Sequence, residues 1–242
     1  MKHFFTLATA LLLVATFTAC DDDWAECYRG NGIYGENEVI IDNFESIEIE
    51  SSIDVELIQD TANFAIISGD DNIIDLVSTR VIGSRLVIEY RNDVNCVRPT
   101  QKTVMQLHFT QIKEIVIDGS GDIYGLDTVN TERLDIKING SGNVKLDANI
   151  QNLLIEVDGS GDVDIEGNGN SGFVLIKGSG NVDIYDFEMR SLGIEVNGSG
   201  DSRAFVQDEL KVWVNGSGDV WYRGECDLVI DERNGSGEVR KI

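Results

Sequence analysis

Residues 138–146 read INGSGNVKL, a Gly-Ser-Gly triplet between two runs in which apolar and polar residues alternate. The triplet recurs. It starts at Gly119, Gly140, Gly159, Gly178, Gly198, Gly216 and Gly235, at intervals of 21, 19, 19, 20, 18 and 19 residues. A flexible linker would not be flanked by such regular strands, and a phosphate loop would not need seven copies. A fixed period of this length marks one supersecondary unit repeated along the chain.

The positions two and four residues before each triplet are filled by Ile or Val in every copy but the last: Ile115 and Ile117, Ile136 and Ile138, Ile155 and Val157, and so on to Val212 and Val214. Period-two alternation of β-branched side chains is the pattern of a half-buried strand. Apolar residues resume after the triplet at Ile123, Val144, Val163, Val182, Val220 and Val239, while Ser202 interrupts that column. Each unit therefore reads as strand, Gly-Ser-Gly corner, strand and a more variable return. Stacked turns would pair their strands in parallel, with the Ile and Val columns inward. The expected fold is all-β: a single-stranded parallel β-helix, or β-solenoid, of about 20 residues per coil. A propeller blade needs about 40–45 residues. A sandwich does not require one corner sequence, and a leucine-rich repeat would show a Leu/Asn framework that is absent.

Residues 38–110 lack the triplet but carry strand runs such as FESIEIESSIDVELI, RLVIEY and VMQLHF. They are read as earlier, less regular coils of the same stack. In the last unit Asp231 and Arg233 replace the inward pair, which suits a polar terminal coil. The expected organisation is an export signal over 1–19, an acidic tether and lead-in segment over 20–37, and the solenoid over 38–242.

The N-terminus has Lys2, a short apolar run from Phe4 to Phe17, and then Thr18-Ala19-Cys20. The run is too short for a membrane-spanning helix and suits a cleaved signal. Its end resembles the lipobox of bacterial lipoproteins, with Phe17 where Leu is more usual. That resemblance implies cleavage before Cys20 and acylation of Cys20, so the membrane is a partner through a lipid anchor. The plainer alternative is an ordinary secretory signal with a nearby Cys. Asp21, Asp22 and Asp23 then form either a solvated tether or a sorting signal, and the reading favoured is an outer-membrane lipoprotein facing outward.

Removal of 1–19 leaves 18 basic against 43 acidic residues, a net charge of −25. Such a surface excludes binding to nucleic acid or bare anionic lipid by counterion release. Three cysteines remain beyond Cys20, and the envelope permits disulfides. Cys27 and Cys96 both precede the repeats and are the expected pair. Cys226 is left over.

Residues 43–60 (NFESIEIESSIDVELIQD), residues 68–81 (SGDDNIIDLVSTRV), the run SRLVIEY and the serial DGSGD units resemble, in order, the auto-transporter adhesin head, or GIN, domain family. The resemblance covers roughly residues 38–240. It implies an envelope-anchored solenoid and a role in adhesion, and it brings no catalytic motif.

Asp or Asn flanks most triplets on both sides. At a sharp corner, Gly is expected to supply positive φ, while Asn and Asp bond their own turn. Hard oxygen ligands repeating along an edge also suit calcium, with Asp118, Asp122, Asp158 and Asp162 as candidates. Against calcium, the G-G-x-G-x-D pattern is absent and Lys177 interrupts one column. No other cofactor is expected.

Only His108 remains as a mature histidine, in the alternating run MQLHFT, and no Ser-His-Asp or Cys-His set can be assembled. Trp213 and Trp221 flank the sixth triplet at outward parity, with Tyr222 adjacent. Exposed aromatic faces stack on sugars, which makes these three candidate ligand-binding residues. The plainer reading is that they cover the last coils. DTA (60–62) and DTV (127–129) resemble acceptor triplets of periplasmic O-glycosylation, with Thr61 and Thr128 as acceptors. The function read from the sequence is a non-catalytic envelope lipoprotein that binds a glycan or a host or cell-surface protein. A structural spacer without a ligand and a carbohydrate-active enzyme on a β-helix scaffold stand as alternatives.

Overall fold

A computed structural model describes residues 27–242, apart from the side chains of residues 230–233. The lead-in segment forms β1 (Tyr28–Arg29) and β2 (Tyr34–Ile40), followed by a first coil of β3 (Ser46–Ile49) and β4 (Asp54–Gln59). An irregular excursion comes next: β5 (Phe64–Asp70), a one-turn helix α1 (Asp71–Ile74), β6 (Val77–Ile82), β7 (Arg85–Tyr90), β8 (Val97–Arg98) and β9 (Val104–Phe109). The repeats are β10 (Glu114–Ile117), β11 (Ile123–Gly125), β12 (Val129–Ile138), β13 (Val144–Val157), β14 (Val163–Ile176), β15 (Val182–Val196) and β16 (Ser202–Val214). The last coil is split into β17 (Val220–Arg223), β18 (Asp227–Arg233) and β19 (Val239–Lys241).

The protein is a β-solenoid. From β13 to β16 each long strand starts after one Gly-Ser-Gly corner and bends around to the next. Coils pair in parallel with matched register, so that Ile115, Ile136, Ile155, Val174, Ile194 and Val212 stand one above another. All six are fully buried. Burial of such a side chain contributes about 1.5–3 kcal/mol, and no coil could bury both faces of its column alone. On the third side, large residues lie over missing ones. Phe187 and Met189 are fully buried, and a Cβ at Gly169 or Gly172 would stand 2.8 Å or 2.7 Å from them.

The corners work differently from the expectation. None of the triplet glycines has positive φ; the five positive-φ glycines lie elsewhere. What excludes a side chain is the coil below. A Cβ on Gly159 would lie 1.9 Å from the Gly140 carbonyl oxygen, and one on Gly161 2.0 Å from that of Gly142. The backbone ladder continues around the bend, with Ser160 N–H donating to Gly140 O at 3.0 Å. Glycine is used so that stacked corners can approach within hydrogen-bonding distance.

The segment 38–110 also departs from a simple run of earlier coils. β3 and β4 do join the parallel stack, yet they are not its end. β7 pairs with the far side of β3 and β9 with the far side of β4, while β10 and β11 pair with their near sides. Three antiparallel pairings, β2–β5, β5–β9 and β6–β7, close this end of the solenoid. Alternation fixes which face a residue occupies but is the same for either strand direction, so the reversal left no mark in the pattern. Covering a sheet end in this way removes an edge that would otherwise recruit other chains.

The lead-in residues from 28 onward belong to the folded body. Cys27 and Cys96 are disulfide-bonded, with Cα atoms 4.6 Å apart, and β1 pairs with β8 beside them. Asp70, fully buried, accepts hydrogen bonds from Gly32 N–H (2.7 Å), Thr100 N–H (2.7 Å), the Thr100 hydroxyl (2.5 Å) and Gln101 N–H (2.9 Å). Burial alone would push this carboxyl up; the donors, led by Gln101 N–H, outweigh it and hold it at about 2.

Candidate functional site

The Asp and Asn residues after the triplets form one continuous ladder. Each side-chain oxygen accepts the backbone N–H of its counterpart in the next coil, at 2.7–2.9 Å from Asp122 through Asn143, Asp162, Asn181, Asp201 and Asp219 to Glu238. Asp54 begins the series by accepting from Asp122 N–H at 3.1 Å. These residues therefore bond the neighbouring coil and not their own turn, which corrects the expectation. A short side chain carrying its oxygen on the γ carbon is what the geometry requires, and Asp and Asn both meet it.

The column before the triplets is stitched in a similar way. Asn139 donates to Asp118 at 2.5 Å, and Lys177 lies 3.3 Å from Asp158. The four aspartates considered for calcium thus all have protein partners. Among the described residues no three His, Cys, Asp or Glu side chains converge on a point that could hold a metal ion.

The three candidate aromatics do not form one site. Tyr222 is buried, since in β17 Val220 and Tyr222 point inward and Trp221 outward. Tyr222 stands over Ala204, whose small side chain leaves it room, and it is therefore a core residue. Trp213 lies on another side of the solenoid, across the corner from Trp221. Its ring is 6.2 Å from that of Phe173, packed over Gly193.

Trp221 is half-buried at the end of a cleft of about 440 Å³ that runs along the solenoid axis. The outward residues beneath it in successive coils are Arg203, Asp183 and Asp164, in register. Asn181 and Asp201 of the ladder line its side. The Arg203 guanidinium sits 5.8 Å from the Trp221 ring centre and 3.6 Å from Asp183. Asp164 pairs with Lys145 at 2.7 Å at the far end. Two residues further along the same strands, Arg223 is sandwiched at 4.2 Å between the rings of Tyr185 and Phe205 and donates to the Tyr185 carbonyl at 2.7 Å. Stacked cation and rings make this flank rigid. The cleft is thus floored by short acceptor side chains between longer ones. The sequence signal for it was the outward parity of Trp221; the three residues stacked beneath it come from three further coils and are not adjacent along the chain.

His108 has its Nδ1 2.9 Å from Asp60 and its ring stacked on Phe64 at 4.0 Å. The Cys226 thiol is free and half-buried, and burial pushes it up from its ordinary value. Thr61 is exposed with its N–H bonded to Asp60, and the Thr128 hydroxyl donates to Asp147 at 3.0 Å. Cys20 and the signal segment lie outside the described residues.

The chain belongs to the family described as "Putative auto-transporter adhesin, head GIN domain", whose match spans residues 43–226. No curated protein matches the chain. Among solved structures, one described as a putative adhesin from Bacteroides fragilis NCTC 9343 superimposes with a TM-score of 0.79 at 21% identity, covering 88% of this chain and 99% of its own. A putative lipid binding protein from Parabacteroides distasonis ATCC 8503 follows at 0.70 and 24% identity, covering 90% and 100%. A putative adhesin from Parabacteroides merdae ATCC 43184 gives 0.64 and 20% identity, with the same coverage. At these identities the likeness shows the fold. Family membership supports an adhesin-like protein of the cell surface or envelope.

Proposed function

We propose that this chain is a non-catalytic binding head, held on the outer membrane by a lipid on Cys20 and presenting the outer faces of its solenoid to an extracellular ligand. The observation that carries this reading is the Trp221 cleft. It joins an aromatic wall to fixed polar groups on a scaffold whose every coil is hydrogen-bonded to the next. Small-ligand sites are concave and largely preformed, with a few placed polar groups, and span about 300–1,000 Å³.

Beads coated with residues 20–242 are expected to attach to epithelial cells or matrix proteins above the level of uncoated beads. Attachment at the uncoated level would sink the adhesion reading. Palmitate-analogue labelling of the full chain in its host should vanish in Cys20→Ser, and persistence would refute the anchor. Release of new reducing ends from polysaccharides would overturn the non-catalytic part.

A further inference from the structure

Four features of the Trp221 cleft restrict what fits it. First, its length. Trp221, Arg203, Asp183 and Asp164 come from four successive coils, and three inter-coil steps span about 14 Å at the parallel-strand spacing. That is longer than one sugar ring and shorter than a folded protein epitope. Second, its wall. A half-buried indole offers an apolar face, and a pyranose presents the matching C–H face while keeping its hydroxyls at the rim. Third, its floor. Asp164 and Asp183 place carboxylate acceptors in register on successive coils, where the hydroxyls of an extended oligosaccharide can donate.

Fourth, its charge. The Arg203 guanidinium faces Asp183, and Lys145 faces Asp164, so the cations near the cleft are already matched. Asp162 and Asp201 also line it, and among the described residues no side-chain cation lies within ion-pair distance of either. One oxygen of each accepts a backbone N–H from the coil above. The second carboxylate oxygen is left for a ligand. A uronate, sulfate or sialate would meet this unmatched negative charge; an ammonium group would neutralise it.

We infer that the cleft binds a linear amino-sugar oligosaccharide lying along the solenoid axis, with one ring on Trp221 and its ammonium groups beside Asp162 and Asp201. This rests on the binding-head reading, and it names the ligand class for that head. Binding is non-covalent and no bond is made or broken.

The probes are β-linked glucosamine oligomers from monomer to tetramer, their N-acetylated counterparts, and oligogalacturonate, titrated by calorimetry into residues 20–242. Affinity should rise from monomer to trimer and then level off. Glucosamine oligomers should bind about fivefold tighter than the N-acetylated series at low salt, a difference that shrinks as salt is added. Oligogalacturonate should not bind. Trp221→Ala should weaken binding about tenfold, Trp221→Phe should restore part of it, and Trp213→Ala on the other side should leave it unchanged. Asp201→Asn keeps the oxygen that accepts Asp219 N–H, so the fold stands while the preference for free amines falls. Melting curves of each variant separate lost binding from lost folding. Length-independent binding, a preference for anionic oligomers, or full affinity in folded Trp221→Ala would each overturn the inference. Full oligomer affinity in folded Trp221→Ala, with cell attachment intact, would leave the adhesion reading standing and remove only this site; oligomer binding without cell attachment would do the reverse.

Discussion

In residues 113–242 most coils make the same bonds to the next: a buried Ile or Val column, a corner where two glycine backbones touch, and an Asp or Asn oxygen reaching up to an N–H. In residues 27–112 almost nothing repeats. That end is held by a disulfide, by a buried carboxylate with four donors, by antiparallel pairs, and by Arg85, which bridges Glu48 at 3.2 Å and Glu114 at 2.9 Å. The repeats spread their stability over identical interfaces, as solenoids do. The other end leans on the repeats only through β3 and β4, and beyond them it is fixed by single long-range ties. The two halves should therefore fail differently. One should be sensitive at any corner, the other at a few named residues.

The largest effect is expected at the ties. Replacing both Cys27 and Cys96 by Ser frees a loop with a sequence separation of 69 residues. Loop entropy puts the loss at about 4 kcal/mol. Hydrogen exchange should show the cap opening, with β1, β2 and β8 exposed, before the repeats. Uniform exchange through the whole chain would mean that the cap and the repeats unfold as one unit, and the comparison would break.

In the repeats the matching test is Gly159→Ala. Its methyl would lie 1.9 Å from a backbone oxygen that cannot move without carrying a coil with it. A loss of about 3 kcal/mol is expected from such overpacking. Gly83 is the control: it has φ of +67° and nothing within 4 Å of a would-be Cβ. Gly83→Ala should cost only the left-handed backbone strain, about 1–2 kcal/mol. A loss at Gly159 no larger than that at Gly83 would show that the stacked coils can give way, and that close contact is not what excludes a side chain at the corners.

The repeats were legible because their restraint is local and recurs. The period, the inward columns and the corner all stand in the sequence. The reason for glycine was not legible, because close approach and positive φ select the same residue. The cap was legible only as strands, since alternation carries face but not direction. Asp70 in FAIISGD gives no sign along the chain of the four donors that reach it from residues 32, 100 and 101. The cleft is the extreme case. Its four outward residues are 18–20 positions apart and mean nothing until stacked.

Acid sharpens the contrast further. The Asp70 carboxyl is held at about 2, below the ordinary carboxylate value near 3.9. Because the folded value is the lower one, its contribution is fully present above pH 4 and is lost as pH falls from 4 towards 2. In Asp70→Asn the melting temperature should start lower at neutral pH and lose less than wild type across that window. An unchanged acid limb would mean that other carboxylates carry the titration. Substitution of one ladder residue, such as Asn181→Ala, should shift the melting point without altering this limb.

The smallest expected effect is a gain, at a place where the inward column after the triplets breaks its own rule. Ser202 occupies the inward column between Val182 and Val220, almost fully buried, and its hydroxyl has no partner. An unpaired buried hydroxyl carries a desolvation cost of about 1–3 kcal/mol, part of which valine would recover together with added apolar contact. Ser202→Val should therefore stabilise by about 1 kcal/mol. The competing possibility is volume. Two residues on, Tyr222 of the next coil stands over Ala204, so this coil already yields space to a large neighbour. If Ser202 is small for the same reason, valine would overpack and destabilise, and Ser202→Ala, which removes the hydroxyl without adding bulk, would be the more stable of the two. The melting temperatures of the two variants thus decide whether the interruption at Ser202 is a defect in the column or a fitted accommodation of Tyr222.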